Sequence, residues 1–215
     1  MAHALVLDIG GVLACDVWEP LFDGIRARFP TLTKVDLNQV GRTLWDKYAY
    51  GSEPDNDGAT SQEREYWAKF IDCVRPGLPE GVSAEYFMKM TDEYIRPVHG
   101  TMQIIERLQR RSVKLAICSN NTEFCFKRQS DRLNLNAFFD PRNVVLPCRI
   151  GKSKSSPRFE MFQAATASLG MSSEECTLVD DRQKNVTLAW KFGMKGIRFI
   201  DGADLECRLL GLGFL

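Results

Sequence analysis

Five short apolar runs punctuate the chain: Ala4–Leu7, Lys114–Cys118, Val144–Leu146, Thr177–Val179 and Gly196–Ile200. Each is bounded by polar residues or glycine and is rich in Val, Ile and Leu without strict alternation. That pattern predicts strands buried on both faces of a parallel sheet. Amphipathic stretches lie between the later runs. Met102, Ile104, Ile105 and Leu108 mark one helix, and Phe159, Phe162, Ala165 and Leu169 mark another. Ser156 and Pro157 are expected to cap the second as N-cap and first-turn proline. Asn185–Phe192 marks a third helix, closed by Gly193 as a left-handed stop. Strands alternating with helices predict the α/β class, with a doubly wound parallel sheet.

Residues 16–97 break this rhythm. They hold no convincing strand, but contain Trp18, Trp45 and Trp67 and the helical patterns Tyr66-Phe70-Ile71 and Tyr86-Phe87-Met90-Tyr94. A polar loop over 51–62, "GSEPDNDGATSQ", is expected to divide the stretch into halves. An insertion of roughly eighty residues is too long for a simple crossover. The predicted division is therefore a core of residues 1–15 and 98–215, with an all-helical module of residues 16–97 over the strand ends.

Composition narrows the choice of function. Among 215 residues, Lys+Arg and Asp+Glu are equal at 28 each, so no global field favours nucleic acid or an anionic membrane. No apolar run approaches a membrane span, and the first is cut at Asp8 with no basic segment before it. A cytoplasmic protein is expected. Seven cysteines without a CxxC pair and only two histidines, His3 and His99, argue against a zinc site. The cysteines are expected to pack as small hydrophobes in a reducing compartment, Cys15 included.

In such sheets ligands bind outside the carboxyl ends of the strands. Four polar groups fall there: Asp8 after the first strand, Ser119-Asn120-Asn121 after the second, Lys154 shortly after the third and Asp180-Asp181 at the fourth. Together they suit phosphoryl transfer. Asp8 is a candidate nucleophile. An anionic nucleophile needs charge neutralisation to approach a phosphate, so Mg²⁺ is expected on Asp8, a backbone carbonyl and Asp181. Lys154 would hold Asp8 and the phosphoryl group, and Ser119 and the backbone after it would donate to phosphoryl oxygens. Gly10 and Gly11 would let the chain turn tightly and bring backbone groups to the phosphate and metal. Asp180 either orients its neighbours or binds metal, and Asn185 either lines the metal site or simply starts a helix.

Other features are assigned blander roles. "GKSKS" lacks the glycine of a Walker loop, because Leu146 stands five residues before Gly151. His99 is expected in a turn before a helix. The aromatic residues of the insertion are expected in its core, with Trp18 or Trp45 as the ones to face the cleft.

The segments "VLDIGGVL", "ICSNN", "KSSPRFEMF" and "LVDDRQKNVTLAWKFGMKGIRF" resemble, in order, the four motifs of the haloacid dehalogenase-like superfamily. "GATSQEREYWAKF" resembles the helical cap inserted between the first two motifs in dehalogenase-like and epoxide-hydrolase-N-terminal-like members. The resemblance implies a Rossmann-like core, a mobile cap that closes over the substrate, and a Mg²⁺-dependent phosphatase acting on a small phosphorylated metabolite, as a monomer or homodimer. It assigns Asp8 and Lys154 to catalysis, Ser119, Asn120, Lys154 and Gly11 to the substrate, and Asp8, Gly10 and Asp181 to the metal. One departure matters. The commonest first motif has a second Asp where Gly10 stands, serving as general acid and base. Glycine there is similar to a sugar-1-phosphate phosphatase-like branch. Asp16 or a cap residue could donate the proton instead, the leaving group could need little help, or turnover could be slow. A 2-haloacid dehalogenase and a catalytically inactive binding module are the alternatives.

Overall fold

The computed structural model describes residues 4–50 and 58–215. Five strands, β1 (Ala4–Leu7), β2 (Lys114–Cys118), β3 (Val144–Val145), β4 (Cys176–Asp180) and β5 (Lys195–Arg198), form one parallel sheet in the order β3-β2-β1-β4-β5. The helices are α1 (Trp18–Arg28), α2 (Leu37–Ala49), α3 (Gly58–Val74), α4 (Ala84–Asp92), α5 (Thr101–Arg110), α6 (Glu123–Leu133), α7 (Pro147–Ile150), α8 (Glu160–Leu169), α9 (Gln183–Phe192) and α10 (Gly202–Gly211).

β1 is central, with Leu5 in register with Leu115 on one side and Thr177 on the other. The chain leaves β1 toward β2 and β3, then returns to β4 and β5 on the opposite side. The β1–β4 seam is therefore the topological switch point, where doubly wound sheets bind ligands. Residue alternation sorts the two helical layers. Leu5, Leu7, Leu115 and Ile117 pack with Ile104, Ile105 and Leu108 of α5 and Leu205 and Leu209 of α10. Ala4, Val6, Ala116 and Leu178 face the other way, onto Met161, Phe162 and Ala165 of α8 and Ala189 of α9.

Helices α1–α4 are inserted between β1 and α5, and among the described residues 16–96 contain no strand. The insertion leaves and re-enters through a paired neck: Cys15 N–H donates to Arg96 O at 2.9 Å and Val98 N–H to Leu13 O at 3.0 Å. Its own core is aromatic. Phe22 stacks on Phe70 at 5.8 Å and Trp67 on Phe87 at 5.2 Å.

Three local expectations are corrected. Residues 58–62 of the expected loop are the first turn of α3, because buried Ala59 and Glu63 extend the Tyr66/Trp67/Phe70 stripe backward at helical spacing. Residues 51–57 of that loop lie outside the described residues. Ser156 and Pro157 do not cap α8. They form a turn closed by Phe159 N–H on Ser156 O, and Phe159 adopts a left-handed φ of 59° before the helix starts at Glu160. Cys15 is exposed, not packed in a core, as are Cys73 and Cys207. Cys118, Cys125, Cys148 and Cys176 are buried, and all seven are free thiols. Among the described residues no helix is long and apolar enough to cross a membrane.

Candidate active site

Asp8 emerges at the switch point. Its backbone N–H donates to Val179 O at 3.0 Å, carrying the β1–β4 ladder one residue past β1 and fixing where the side chain begins. Its Oδ1 accepts from Ile9 N–H at 2.8 Å. The chain then turns sharply, with the N–H groups of Val12, Leu13 and Ala14 all converging on Ile9 O. The two glycines of this turn differ. Gly11 has φ +73°, and a Cβ there would stand 2.9 Å from Asp181 Cγ, so both its conformation and its surroundings require glycine. Gly10 is not left-handed, and a Cβ there would meet nothing within 4 Å. The expectation that both glycines serve the turn is thus corrected to Gly11 alone. The Gly11 N–H donates to Ala14 O at 2.8 Å.

Lys154 reaches the same point from the loop after α7. Its Nζ lies 3.1 Å from Asp8 Oδ1 and 2.7 Å from Asp180 Oδ2, with the residue only 1% exposed. Asn120 supports the loop: its Oδ1 accepts from Lys154 N–H at 3.0 Å. Asp180 is wholly buried, and Lys154, Arg182 N–H and Asn185 Nδ2 already serve its two oxygens. It orients Lys154, and Asn185 in the first turn of α9 orients it. Ser119 is buried just past β2, and its side chain favours the ionised form of Asp8.

Oxygens of Asp8, Asp180 and Asp181 lie within 4.8 Å of one another. Three carboxylates against the Lys154 ammonium leave the cluster two charges negative. Burial pushes Asp8 above the usual carboxylate range. Lys154 opposes that shift, and the Asp180 charge adds to it. For Lys154, burial alone would lower the ammonium's pKa, but Asp8 and Asp180 together outweigh burial and hold it above the lysine range. Asp181 is also raised, first by burial and then by Asp180. Its Oδ1 is buried without a hydrogen-bond partner, which leaves a desolvated anion oxygen uncompensated. Hard carboxylate oxygens, net negative charge and an orphaned acceptor fit a small divalent cation such as Mg²⁺.

A family model described as haloacid dehalogenase-like hydrolase matches residues 60–199. The chain belongs to the haloacid dehalogenase-like hydrolase family. Among solved structures, a HAD family enzyme from Bacteroides thetaiotaomicron aligns with a TM-score of 0.67 at 18% identity, over 97% of this chain and 98% of that one. That enzyme is also known as a magnesium complex and as a complex with magnesium and inorganic phosphate. The L-2-haloacid dehalogenase from Xanthobacter autotrophicus aligns with a TM-score of 0.60 at 20% identity, over 98% of this chain and 83% of that one. It is known with chloropropionic acid covalently bound. At these identities the likeness is one of fold. No curated protein matches the chain.

In this family member the insertion sits beside the second motif. Trp18 and Trp45 are half-buried and meet edge-on at 4.7 Å, and Trp45 lies 5.7 Å from Phe124 in the first turn after the Ser119–Thr122 loop. Asp16 is exposed, with Oδ1 accepting from Trp18 N–H at 3.0 Å. His99 is exposed in the turn before α5. The sequence did not reveal the support given by Ile9 N–H and Asn120 Oδ1. For Asn185 a signal existed, since it lies in the first turn of the helix that follows Asp180.

Proposed function

We propose that the protein is a Mg²⁺-dependent phosphatase that hydrolyses a small phosphorylated metabolite through an aspartyl-phosphate on Asp8. The Asp181 carboxylate carries this proposal: one oxygen is buried without a partner, in a cluster two charges negative. Asp8, Asp181 and the Gly10 carbonyl would hold Mg²⁺, which when bound supplies positive charge between nucleophile and phosphoryl group. Asp180 is engaged elsewhere.

Lys154 and Ile9 N–H pin Asp8 Oδ1, leaving Oδ2 to attack phosphorus. The bond from phosphorus to the leaving oxygen breaks, and that oxygen takes the electron pair. Water then attacks the phosphorus of the aspartyl-phosphate, releasing inorganic phosphate and restoring the carboxylate. Lys154 stays protonated throughout and offsets charge on the phosphoryl oxygens. The Ser119 hydroxyl and the Asn120 side-chain amide complete the phosphoryl site.

A haloacid dehalogenase is the second reading. Open space at Gly10 in place of an acid favours it, since a halide leaves without a proton. Asp181 argues against it, because displacement at carbon needs no cation. An inactive binding module would not need a carboxylate held as Asp8 is. Phosphate release from a panel of phosphomonoesters, with and without Mg²⁺, tests the proposal. Chloride release from 2-chloropropionate without metal, and no phosphate release from any ester, would reverse the choice.

A further inference from the structure

The sheet ends at β5, and among the described residues no strand pairs with its outer side. Phe199 N–H donates to Asp180 O at 2.9 Å, so Phe199, Ile197 and Lys195 turn their backbone groups toward β4. In a parallel ladder alternate residues serve opposite sides, which points the N–H and C=O groups of Gly196 and Arg198 to the open edge. Such an edge is a template for an added strand.

Trp190 of α9 lies against this edge. A Cβ on Gly196 would stand 2.7 Å from Trp190 Nε1 and 2.8 Å from Val186 Cγ1, so the glycine makes room for the indole to rest on the strand. The ring is supported from beneath, yet Trp190 is 54% exposed, and Ile200, two residues past the strand, is 64% exposed. Large apolar side chains held in place but left in water mark contact surfaces.

Charge decides what fits there. Between Asp181 and Asp201 the chain carries Arg182, Lys184, Lys191, Lys195 and Arg198 and no acid, although the whole chain is balanced. Lys191, Lys195 and Arg198 are exposed, and among the described residues none of the three forms an ion pair. The next acids are engaged within α10: Asp201 accepts Asp204 N–H at 2.8 Å, and Asp204 holds Arg208 Nε at 2.8 Å. A second copy added antiparallel about a two-fold axis would bring Lys195 and Arg198 against the same cations, which repel. A polynucleotide or a lipid surface would neutralise the cations but leave the regularly spaced N–H and C=O groups unpaired.

We propose that the outer edge of β5 is a docking surface for an acidic segment of a partner protein. The segment adds as a further strand, pairs the backbone of Gly196 and Arg198, lays an apolar side chain on Trp190 and sets carboxylates beside Lys191, Lys195 and Arg198. The cations that turn away another copy thereby select the acidic strand. β5 is one strand removed from the β1–β4 seam, so the surface does not depend on the reaction at Asp8.

The test is an NMR titration of the nitrogen-15-labelled full chain with a short blocked peptide alternating glutamate and valine, and with its lysine–valine counterpart. The acidic peptide should shift the Trp190 indole and slow solvent exchange of the Gly196 and Arg198 amides, with a Kd that weakens as salt is added. The lysine peptide should do neither. Trp190→Ala should weaken binding by about 10-fold. Where Trp190→Ala fails to fold, Lys195→Glu, at an exposed position, should weaken the acidic peptide and strengthen the lysine one. Equal binding of both peptides, no binding of the acidic one, or binding that leaves the two amides unprotected would overturn the proposal. So would a folded Trp190→Ala variant with unchanged affinity, protection of the same amides by self-association alone, or tighter binding of a single-stranded oligonucleotide at the same salt.

Discussion

The carboxylate of Asp181 occupies the space that a side chain at residue 11 would need: a Cβ on Gly11 would stand 2.9 Å from both Asp181 Cγ and Oδ2. A turn next to the first strand and a carboxylate at the end of the fourth are therefore one unit. Gly11→Ala should strain the backbone, where φ is +73°, by about 1–2 kcal/mol, and displace Asp181. Calorimetric Mg²⁺ titration should show binding weakened by about 10-fold or more, the equivalent of about 1.4 kcal/mol. Unchanged affinity would separate Asp181 from the metal.

Gly10 is the opposite case, with open space and no left-handed backbone. Gly10→Asp should fold with stability within about 0.5 kcal/mol of the parent, as surface changes do. It should also raise phosphate release from alkyl phosphates, whose leaving groups need a proton, by about 10- to 100-fold. Rates measured on alkyl and p-nitrophenyl phosphates would check this. A rise confined to the nitrophenyl ester would contradict it.

Lys154→Met should expose what the ammonium does for stability. Its pKa is raised in the fold, so its contribution is fully present below the unfolded value of about 10.4 and is lost only as pH rises through the folded value. At pH 7 that contribution is whole. Removing the charge leaves Asp8 and Asp180 buried without a counter-ion, at a cost of about 3–5 kcal/mol. Urea unfolding should show that loss at pH 7 and a smaller one near pH 4.5, where carboxylates can protonate. An equal loss at both pH values would refute the electrostatic origin.

Asp8 gives a linked pH effect. Burial, only partly opposed by Lys154, raises its pKa in the fold. Without metal, the protonated form contributes stability below the unfolded value of about 3.9, and this is lost as pH rises through the folded value. Mg²⁺ favours the ionised form, so its stabilising effect should grow across that window. It should reach about 2.7 kcal/mol when the ion is at 100 times its Kd. Thermal melts with and without Mg²⁺ between pH 4 and 8 test the trend. A metal effect of the same size at every pH would contradict it.

The parallel sheet was legible because its strands are buried on both faces and read as short, largely apolar runs, such as Ala4–Leu7 and Thr177–Val179. Asp8, Lys154 and Asp181 were legible because topology alone carries strand ends to one edge. What stayed hidden depends on contacts between distant segments. Asn120 holding Lys154 N–H and Arg128 bridging Glu63 to Asp92 leave no periodic trace. The Ser156-Pro157 pair carried a capping signal, but Ser156 N–H donates to Ser153 O and Phe159 N–H to Ser156 O in successive turns, and with Phe159 left-handed α8 starts only at Glu160. Cys15 looked like core material by residue type, yet it lies in the neck where the insertion leaves the sheet.

The most direct measurement is release of inorganic phosphate by the unmutated protein and by Asp8→Asn, over a panel of phosphomonoesters with Mg²⁺ present or chelated. Turnover of at least one ester is expected that needs both Mg²⁺ and the Asp8 carboxylate. Turnover retained in full by Asp8→Asn, or indifferent to chelation, would contradict nucleophilic attack by Asp8 in a metal-balanced site.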